Sequence, residues 1–480
     1  MYPENQVFFV LGLSRSGKAS AEFLLSKNAT VYIYDDVTSE RIEQTVRDLV
    51  SKGAKRVAKE TLAKTMELCD ILLLSPGIPI DHPLAVAFKR NKKAVIGETE
   101  LASRYMRCPV VAVTGTNGKT TTVSMLTEVL TQSGLNAKAC GNIGSPMIEY
   151  YGLDEKSVAV AEISSFQLET LNSLCPHVSV ILNITEDHLN RHYNMENYVF
   201  LKGKLLKNSS ESEYAVLNYD DAIVRSFAEK CKAKVVWFSV REKIRGAYYE
   251  SGDLYFNDEK IISAKTLLAE GVHNIQNALA VIAVAKIMGV NTKAIADALA
   301  SFKGIKHRIE KVDEIDGVLY IDDSKGTNVD ATIKAVECME RKTLLLLGGK
   351  NKGYDYAKLF IALKNSNVVH AVLYGENRYV LLKNAREQGF ESVTVCETFA
   401  FAVKIATMLA RRGQTVLLSP ASASFDEFTS YEERGDAFVE IVRSLKPASA
   451  TAEEINPKQC ETVAVDSNTE RFQDTADEIE

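Results

Sequence analysis

The segment spanning residues 110–121, Val-Val-Ala-Val-Thr-Gly-Thr-Asn-Gly-Lys-Thr-Thr, contains the residues best suited to chemistry. Its apolar, mostly β-branched start predicts a strand, and a helical pattern follows the two glycines. A loop of this kind turns backbone N–H groups toward phosphates, and Lys119 adds a positive charge. Thr120 offers a hydroxyl to a phosphate-bound Mg²⁺ ion. The residues predicted to bind ATP here are Gly115, Thr116, Asn117, Gly118, Lys119, Thr120 and Thr121.

A second glycine loop, Gly-Leu-Ser-Arg-Ser-Gly-Lys-Ala at residues 12–19, follows the apolar strand predicted at Val7–Leu11. Its spacing is closer to the Gly-x-x-x-x-Gly-Lys-Ser/Thr pattern, but Ala19 stands where a metal-binding hydroxyl belongs. We therefore assign ATP to the later loop and a metal-free diphosphate, such as a sugar nucleotide, to this one. The alternative for either loop is a tight strand-to-helix turn without a ligand.

The first hundred residues alternate short apolar strands with helical patterns. This alternation predicts a mostly parallel sheet with ligands at the carboxyl ends of its strands. The strand predicted at Val31–Tyr34 ends in Asp35 and Asp36. Acidic residues in this place commonly meet a ribose or a base, and a solvated turn is the alternative.

Two strands that follow the ATP loop end in groups that could complete a metal site. The strand Val158–Ile163 carries Glu162 near its end, and the strand Val178–Asn183 is followed by His188. Because parallel strands open on one edge, we expect both groups beside the phosphate loop, where Mg²⁺ favours hard oxygen ligands. His188 could instead cap a helix or pair with Asp187.

A third group of candidate residues begins at His307-Arg308 and continues at residues 322–328, Asp-Asp-Ser-Lys-Gly-Thr-Asn. A strand that ends in two acids, followed by Lys, Gly and Thr, suits a site for a nucleotide and an anionic group. Residues 348–352 and 419–426 also end predicted strands at the same rim. The alternative is ordinary loop chemistry, which favours Gly and Ser in any case.

The strand and helix patterns predict an α/β fold with three domains and an acidic tail. A β-rich insert interrupts the second α/β unit, with strands at Tyr214–Asn218 and Val235–Ser239 and a hairpin across Tyr248–Phe256. Helical patterns follow at Asn274–Met288 and Thr292–Phe302. The predicted boundaries are 1–107 for a substrate-binding domain, 108–305 for a central ATP-binding domain, 306–446 for a C-terminal domain and 447–480 for a disordered tail.

The composition is that of a soluble globular protein, with 25% charged and 46% hydrophobic residues. Residues 447–480 hold nine acidic and two basic residues, so the tail accounts for the net charge of −6. Nothing in the rest of the chain is basic enough to indicate nucleic-acid binding. The eight cysteines form no Cys-x-x-Cys pair, which indicates reduced thiols, and no apolar stretch approaches the roughly 20 residues of a membrane span. We therefore expect a cytoplasmic protein.

Residues 114–121, together with Glu162, the segment 183–188 and His307-Arg308, resemble the Mur ligase family. The resemblance runs from residue 1 to residue 446 and leaves out the tail. It implies an ADP-forming ligase that makes an amide bond in peptidoglycan precursors. The implied fold has a Rossmann-like N-terminal domain, a central P-loop ATPase-like domain with a parallel sheet, and a Rossmann-like C-terminal domain.

Three segments, at residues 164–169, 323–328 and 419–425, most resemble the branch of the family that adds D-glutamate. The resemblance therefore implies UDP-N-acetylmuramoyl-L-alanine and D-glutamate as substrates, with ATP and two Mg²⁺ ions. It implies that ATP phosphorylates the substrate carboxylate and that the amine of D-glutamate attacks the resulting acyl phosphate. We also expect a monomer. Folylpolyglutamate synthetase and a non-catalytic sugar-nucleotide sensor are the alternatives.

The resemblance also assigns roles to individual residues. By composition alone Lys202 is a solvated helix lysine, but the resemblance implies that it reacts with CO₂ to give a carbamate, which ligates a metal ion. The implied catalytic residues are Lys119, His188 (a candidate general base) and Lys202. The implied metal ligands are Thr120, Glu162, His188 and Lys202. Further residues implied to bind ATP are Asn274, Asn277, Arg308 and Asp323. The implied substrate-binding residues are Gly12, Ser14, Arg15, Asp35, Asn142, Ser164, Lys325, Thr327, Lys352, Ser424 and Phe425.

Three features depart from the family pattern. Thr99, in the segment Gly-Glu-Thr-Glu at residues 97–100, stands where the family usually has an apolar residue. Gly326 stands where alanine is common, and the tail is extra. None of these features touches a predicted metal ligand.

Overall fold

The computed structural model describes residues 6–267, 272–350, 355–445 and 460–461. The chain forms two compact units, Met1–Lys303 and Gly304–Glu480. The first unit contains two sheets and the second contains one.

The N-terminal sheet has five parallel strands in the order β3-β2-β1-β4-β5. Its central strands are almost fully buried, because helices cover both faces of a parallel sheet. The order reverses between β1 and β4, so the loop after β1 opens at the switch point where such sheets bind ligands. The strands are β1 (Val7–Leu11), β2 (Thr30–Tyr34), β3 (Lys55–Arg56), β4 (Ile71–Leu74) and β5 (Ala94–Ile96). The helices are α1 (Arg15–Ser26), α2 (Glu40–Ser51), α3 (Leu62–Leu68), α4 (Pro83–Arg90) and α5 (Glu98–Ser103).

The central sheet has nine strands in the order β14-β13-β12-β11-β10-β9-β6-β8-β7. The strand before the predicted ATP loop is β6, and it lies between β8 and β9. The strands are β6 (Val110–Thr114), β7 (Asn136–Gly141), β8 (Ser157–Glu162), β9 (Val178–Ile181), β10 (Tyr214–Asn218), β11 (Lys234–Ser239), β12 (Gly246–Glu250), β13 (Asp253–Phe256) and β14 (Glu259–Ser263). The helices are α6 (Lys119–Gln132), α7 (Ser165–Glu169), α8 (Leu189–His192), α9 (Met195–Gly203), α10 (Ala222–Ser226), α11 (Val272–Ile287) and α12 (Thr292–Ser301).

Part of the predicted β-rich insert belongs to the main parallel sheet. Strands β10 and β11 pair in parallel with the rest of the sheet, and β12 joins β11 in parallel as well. Among the described residues of this sheet, the antiparallel pairs are β12 with β13 and β13 with β14, and the first of them confirms the hairpin predicted across Tyr248–Phe256. The apolar helix α11 packs against β10, β11 and β12, so these strands have a covered face and extend the main sheet.

The two sheets of the first unit share one hydrophobic core. Apolar residues of the N-terminal sheet, such as Phe8, belong to the same buried cluster as Ala112 and Ala161 of the central sheet. Phe23 on α1 packs edge-on against Tyr105 and Tyr151, with ring centroids 4.8 Å apart in both pairs. The predicted N-terminal and central domains are therefore packed together as one body.

The sheet of the second unit has the order β15-β16-β20-β17-β18-β19-β21. Its five inner strands are parallel, and the strand at each edge is antiparallel. The strands are β15 (Glu310–Ile315), β16 (Val318–Asp322), β17 (Thr343–Gly348), β18 (Val368–Tyr374), β19 (Val393–Cys396), β20 (Thr415–Leu418) and β21 (Cys460–Glu461). The helices are α13 (Val329–Glu337), α14 (Ala357–Lys364), α15 (Arg378–Glu387), α16 (Phe399–Leu409) and α17 (Tyr431–Ser444).

Within the predicted tail, only the two residues of β21 are described, and they pair with β19. The disorder predicted for the other tail residues lies outside the described residues and stays a prediction. In the described parts of the chain, no helix combines the length and the apolar content that crossing a membrane requires.

Candidate active site

The loop between β6 and α6 has the backbone geometry of a phosphate-binding loop. Strand β6 is buried along its whole length, and α6 begins directly after Gly118 at Lys119. Gly118 has a φ of +85°, and a Cβ atom there would collide with Oδ1 of Asn277. Glycine is therefore required both for the left-handed conformation and for the close approach of α11.

The loop is held from the neighbouring strand β9. Asn183 binds Asn117 twice: its Oδ1 accepts from the Asn117 N–H (2.8 Å), and its Nδ2 donates to the Asn117 carbonyl (3.1 Å). The hydroxyl of Thr116 donates to the carbonyl of Thr185 and accepts from its N–H, both over 3.0 Å. These bonds fix the loop and confirm that the ends of β6 and β9 open on one edge.

Lys119 turns its ammonium toward its own loop, where Nζ donates to the carbonyls of Gly115 (2.8 Å) and Thr116 (2.7 Å). Thr120 and Thr121 are both buried at the start of α6. Thr121 Oγ1 and Asn117 Nδ2 are buried atoms without a hydrogen-bond partner among the described residues. Buried polar atoms are normally satisfied, so these atoms mark places where a bound ligand would contribute bonds.

Lys202 is buried rather than solvated, with 1% of its surface exposed. Its Nζ donates to Thr114 Oγ1 (3.1 Å) and to the carbonyl of Gly115 (2.9 Å), so the amine lies directly beneath the phosphate loop. Burial and the positive charge of Lys119 lower the pKa of Lys202 well below its usual value. The composition-based expectation of a solvated lysine is therefore wrong, because α9 packs this face against the loop.

Tyr198 is a site residue that sequence reasoning missed. Its hydroxyl lies 3.2 Å from Thr116 Oγ1, and the Lys202 Nζ lies 5.2 Å from the centre of its ring. Tyr198, Lys202 and Leu206 recur at a spacing of four residues, and all three are buried. That spacing places them on one helical face and was the available signal.

Glu162 ends β8 beside the phosphate loop, as predicted. Its Oε1 accepts a hydrogen bond of 2.7 Å from Nδ2 of Asn142, and its backbone carbonyl accepts from the Asn142 N–H. Its Oε2 is buried without a partner among the described residues. A buried carboxylate oxygen of this kind is costly unless a cation or a donor reaches it.

His188 has a left-handed backbone conformation, with a φ of +55°, at the start of α8. Its Nε2 lies 3.5 Å from Oδ2 of Asp187, so the alternative pairing with Asp187 is present. Its ring packs against Phe166, with centroids 4.8 Å apart, and 39% of the side chain is exposed. The imidazole is therefore accessible while its orientation is restrained.

A buried cluster of polar residues next to His188 joins the two sheets of the first unit. Arg191 binds both carboxylate oxygens of Glu169 (2.9 and 2.6 Å) and the carbonyl of Ile78 (2.7 Å). The ring of His192 lies 2.9 Å from Ser165 Oγ, and burial with the nearby charge of His188 lowers the pKa of His192 to about 4. His192 is therefore neutral at pH 7, which a buried position favours.

The remaining predicted residues of the central sheet also lie near the loop. Asn277 Oδ1 is 3.3 Å from the hydroxyl of Thr122, and its Nδ2 donates to Oδ1 of Asn274. Ser164 caps α7 in a capping box with Gln167, two residues after Glu162 at the end of β8.

The first glycine loop lies at the rim of a cavity of 810 Å³. Gly12 has a φ of +87°, and Asp35 holds the turn by accepting from the N–H groups of Leu13 (2.6 Å) and Val37 (2.9 Å). Arg15 donates to the carbonyl of Gly144 over 2.6 Å. The residues at the wall that were predicted to bind substrate are Ser14, Arg15 and Asp35.

In the second unit, a buried histidine is enclosed by acids. Nδ1 of His307 lies 2.7 Å from Asp322 Oδ2, and the backbone N–H of His307 donates to Glu310 Oε2 (2.7 Å). One ring nitrogen of His307 and one carboxylate oxygen from each of Glu310 and Asp322 lie within 4.8 Å of one another. Burial lowers the pKa of His307, but the hydrogen bond and charge of Asp322 raise it more, so the net shift is upward.

Asp323 follows directly and is buried as well. Its Oδ2 accepts from the hydroxyl of Ser419 (2.7 Å), the first residue after the neighbouring strand β20. Burial raises the pKa of Asp323 to about 7, against the hydrogen bond of Ser419 and the charge of Arg308, which lower it. The predicted nucleotide residues Arg308 and Asp323 are therefore electrostatically coupled.

Of the predicted D-glutamate residues, Lys325 and Thr327 follow β16, and Ser424 and Phe425 follow the neighbouring strand β20. Lys325 Nζ donates to the hydroxyl of Tyr431 over 2.9 Å, and Thr327 closes the same turn through its N–H to Lys325. Ser424 is buried, whereas Phe425 is 65% exposed. Lys352 lies outside the described residues.

Arg434 was also missed by the sequence interpretation. It is fully buried on α17, and its guanidinium binds Ser324 Oγ (2.9 Å), the Ser324 carbonyl (2.8 Å) and the Ser422 carbonyl (3.2 Å). It thereby joins the loop after β16 to the loop after β20. Its position four and eight residues before the buried Phe438 and Val442 was the available signal.

These features together define a class of protein. The central α/β sheet has, at one edge, a loop with the geometry of a phosphate-binding loop, two lysines and a carboxylate oxygen without a partner among the described residues. A family model of the Mur ligase middle domain matches residues 113–285, one of the Mur ligase glutamate ligase domain matches residues 307–422, and one of the MurD-like N-terminal domain matches residues 6–97. The chain belongs to the Mur ligase family, and the predicted family and three-domain α/β fold are confirmed.

Relatives that are similar in sequence over most of the chain carry the name of a D-glutamate ligase. UDP-N-acetylmuramoylalanine–D-glutamate ligase from Pelotomaculum thermopropionicum is 42% identical and is matched over 91% of this chain and 97% of the relative. The enzyme of the same name from Clostridioides difficile is 38% identical over 91% of this chain and 98% of the relative.

Solved structures show the same fold at low identity. UDP-N-acetylmuramate-alanine ligase MurC from Thermotoga maritima superimposes with a TM-score of 0.58 at 19% identity, over 92% of this chain and 100% of that chain. MurF ligase from Thermotoga maritima, solved in complex with ADP, gives a TM-score of 0.57 at 16% identity, over 92% and 96% of the two chains.

Proposed function

We propose that this protein is an ATP-dependent ligase that joins D-glutamate to the terminal carboxylate of UDP-N-acetylmuramoyl-L-alanine and releases ADP and phosphate. The observation that carries the proposal is the 38–42% identity to ligases of that name over at least 97% of their length. The phosphate loop and the charged groups beside it supply the chemistry that such a reaction needs.

Activation of the carboxylate is assigned to the loop after β6. Its backbone N–H groups and the N-terminus of α6 would bind the phosphates, with Asn274 and Asn277 holding the nucleotide. Lys119 would neutralise negative charge that develops during transfer of the γ-phosphate. A carboxylate is a poor electrophile, and phosphorylation converts it into an acyl phosphate whose phosphate can leave.

The groups next to the loop fit a magnesium site. Glu162 Oε2, buried and without a partner among the described residues, is an anionic oxygen that a cation would satisfy. We assign Thr120, Glu162 and His188 to two Mg²⁺ ions, with modified Lys202 as a further ligand. When bound, Mg²⁺ supplies positive charge at the transferred phosphate.

Carbamylation of Lys202 is supported by the burial of its amine. A neutral amine has the lone pair that attacks the carbon of CO₂; the N–C bond forms, one C=O electron pair moves to oxygen, and the amine proton is lost to solvent. The product is an anionic carbamate in place of a buried cation next to Lys119. Burial of an unpaired cation is unfavourable, so the modification also removes an electrostatic cost.

Amide formation requires an acceptor site and a base. We assign D-glutamate to Lys325, Thr327, Lys352, Ser424 and Phe425, and assign Arg308 and Asp323 to ATP. The D-glutamate amine would attack the acyl phosphate, the new N–C bond would form, and phosphate would leave through a tetrahedral intermediate. His188, whose imidazole is accessible, is the candidate that takes the amine proton, in competition with its metal role.

The sugar nucleotide is assigned to the N-terminal cavity. Gly12, Ser14, Arg15 and Asp35 would surround the uridine diphosphate, and the positive end of α1 suits its phosphates. Asn142, bound to Glu162, and Ser164 would contact the part of the substrate that leads to the reacting carboxylate.

The proposal is tested by phosphate release from ATP with UDP-N-acetylmuramoyl-L-alanine and a panel of D- and L-amino acids. We expect release with D-glutamate, and loss of release when Mg²⁺ is chelated. Release with another amino acid or with a folate acceptor, and none with D-glutamate, would contradict the assigned substrates.

We further propose that the protein acts as a monomer in the cytoplasm, where ATP is available and thiols stay reduced. Seven of the cysteines are free thiols in the structure, which is consistent with this location. Sedimentation at micromolar concentration and fractionation of the source cells test the two statements.

A further inference from the structure

Helix α5 carries three consecutive polar residues, Glu98, Thr99 and Glu100, and each is only 1% exposed. Burying polar groups is unfavourable unless each finds a hydrogen-bond partner. Glu98 Oε1 accepts from the N–H of Ile148 (2.7 Å), and Glu100 Oε2 accepts from the N–H of Ser173 (2.8 Å). Both acids therefore bind segments that belong to the half of the unit containing the phosphate loop.

Thr99, between the two acids, binds a residue of the candidate site. Gln167 Nε2 on α7 donates to Thr99 Oγ1 over 3.0 Å, and the Thr99 hydroxyl donates to Glu98 Oε2 over 3.2 Å. Gln167 Oε1 accepts from the N–H (2.8 Å) and the hydroxyl (2.9 Å) of Ser164. A continuous chain of hydrogen bonds thus leads from Glu98 through Thr99 and Gln167 to Ser164; we call it the α5 relay.

The direction of each bond in the α5 relay follows from one backbone group. A backbone N–H can only donate, so the N–H of Ser164 requires Gln167 to turn its amide oxygen toward Ser164. The amide nitrogen of Gln167 then faces Thr99, whose oxygen accepts and whose proton goes to Glu98. An apolar residue at position 99 would leave an N–H of Gln167 buried without this partner.

We infer that Thr99 is a positioning residue: it holds the amide of Gln167 in the orientation that the Ser164 N–H selects, and thereby keeps the Ser164 hydroxyl donating to Gln167, so that Ser164 offers the substrate a hydrogen-bond acceptor. The inference rests on the proposed function, in which Ser164 contacts UDP-N-acetylmuramoyl-L-alanine. The substrate groups that fit an acceptor are N–H and O–H, and the amides of the muramoyl-alanine end carry such N–H groups. The uridine diphosphate end is assigned to the separate cavity beside Gly12.

The test measures the affinity of the full chain for two ligands, UDP and UDP-N-acetylmuramoyl-L-alanine, by titration calorimetry. Thr99→Val keeps the shape of threonine but removes the acceptor, and Thr99→Ser restores it. We expect Thr99→Val to weaken binding of UDP-N-acetylmuramoyl-L-alanine by about tenfold, as loss of one buried hydrogen bond would, and to leave UDP binding unchanged. Thr99→Ser should bind both ligands like the wild type, and KM for this substrate should rise in Thr99→Val with little change in kcat.

Thr65→Val is the matched control, because Thr65 is a buried threonine of the same domain, on α3, outside the α5 relay. Unchanged affinity of Thr99→Val for UDP-N-acetylmuramoyl-L-alanine overturns the inference. So does an equal loss for UDP, since that would reveal a general structural defect. If Thr99→Val does not fold, Gln167→Met decides, and it must show the same selective loss. A wild-type chain that binds UDP but not UDP-N-acetylmuramoyl-L-alanine overturns the proposed function itself.

Discussion

Burying a lysine next to a second lysine is unfavourable unless the amine loses its proton or gains an anionic group. Lys202 is in this situation, with Nζ beneath the phosphate loop and its pKa lowered by burial and by Lys119. A neutral amine favours the carbamate described above. Burial of Lys202 therefore destabilises its charged form and, for the same reason, favours the neutral amine that reacts with CO₂.

Lys202→Arg should abolish the modification while keeping a positive charge, because a guanidinium stays protonated and does not react with CO₂. We expect ADP release to fall by about 100-fold or more, as for loss of a main electrostatic group in an active site. In the wild type, carbon-13 bicarbonate should give a carbamate resonance that the variant lacks.

The exposed Lys207→Arg, five residues further along, is the control and should keep both the resonance and the activity. A wild-type spectrum without a carbamate resonance would rule out the modification, whatever the activity of the variant.

Glu162→Gln should weaken magnesium binding, because Oε2, which is buried without a partner in the described part of the chain, becomes an amide nitrogen that donates. The Oε1 position can still accept from Asn142, so the loop should stay in place. We expect the Mg²⁺ concentration needed for half-maximal nucleotide binding to rise by about 10- to 100-fold, the usual effect of damage to a metal site. Glu128→Gln, the same substitution on α6, is the control and should not change the Mg²⁺ dependence. If Glu162→Gln also keeps the Mg²⁺ dependence of the wild type, Glu162 is not a magnesium ligand.

At the scale of elements, helix α5 couples the stability of the first unit to pH. Burial raises the pKa of Glu98 to about 7, although the N–H of Ile148 and the hydroxyl of Thr99 lower it. A carboxyl whose pKa is raised by folding binds its proton more tightly in the folded state. Its contribution to stability is therefore fully present below the unfolded pKa of about 4.3 and is lost as the pH rises through about 7.

Glu98→Gln should remove this dependence, since the amide does not titrate. We expect the free energy of unfolding of the wild type, relative to the variant, to fall by about 3 kcal/mol between pH 4.5 and pH 7.5, the equivalent of the shift in pKa. Urea denaturation at several pH values measures the difference. Parallel pH profiles for the two proteins would show that Glu98 does not titrate in this range.

Much of the fold could be predicted at this scale, because strands buried on both faces form apolar runs that end at a glycine or a polar residue. The predicted strands Val7–Leu11 and Tyr214–Asn218 agree with the structure at both ends. The role of α5 could not be predicted, because Thr99 and Gln167 are separated by 68 residues and their hydrogen bond depends on the packing of two sheets. The same holds for Arg434, whose partners Ser324 and Ser422 belong to separate loops.

At the scale of the whole molecule, the chain has three sheets, but its buried apolar clusters divide it into two units. The N-terminal and central sheets share a buried cluster that reaches from Phe8 to Leu205. The second unit has its own apolar clusters on the two faces of its sheet. A cooperative unit of unfolding requires a continuous core, so the first unit should unfold as one body despite containing two family domains.

We therefore expect calorimetry of the full chain to show two unfolding transitions. UDP should raise the midpoint temperature of the transition that belongs to the first unit and leave the other midpoint unchanged. At 100 times its dissociation constant, a ligand adds about 2.7 kcal/mol, which corresponds to a shift of roughly 5 °C for a body of this size. The single tryptophan, Trp237 on β11, lies in the first unit, so its fluorescence reports that transition selectively. The tryptophan fluorescence should change at the transition whose midpoint temperature UDP raises, and the midpoint of the other transition should not depend on UDP. Three transitions would show that the two sheets of the first unit unfold separately. A fluorescence transition with the same midpoint temperature with and without UDP would show that the central sheet does not unfold together with the UDP cavity.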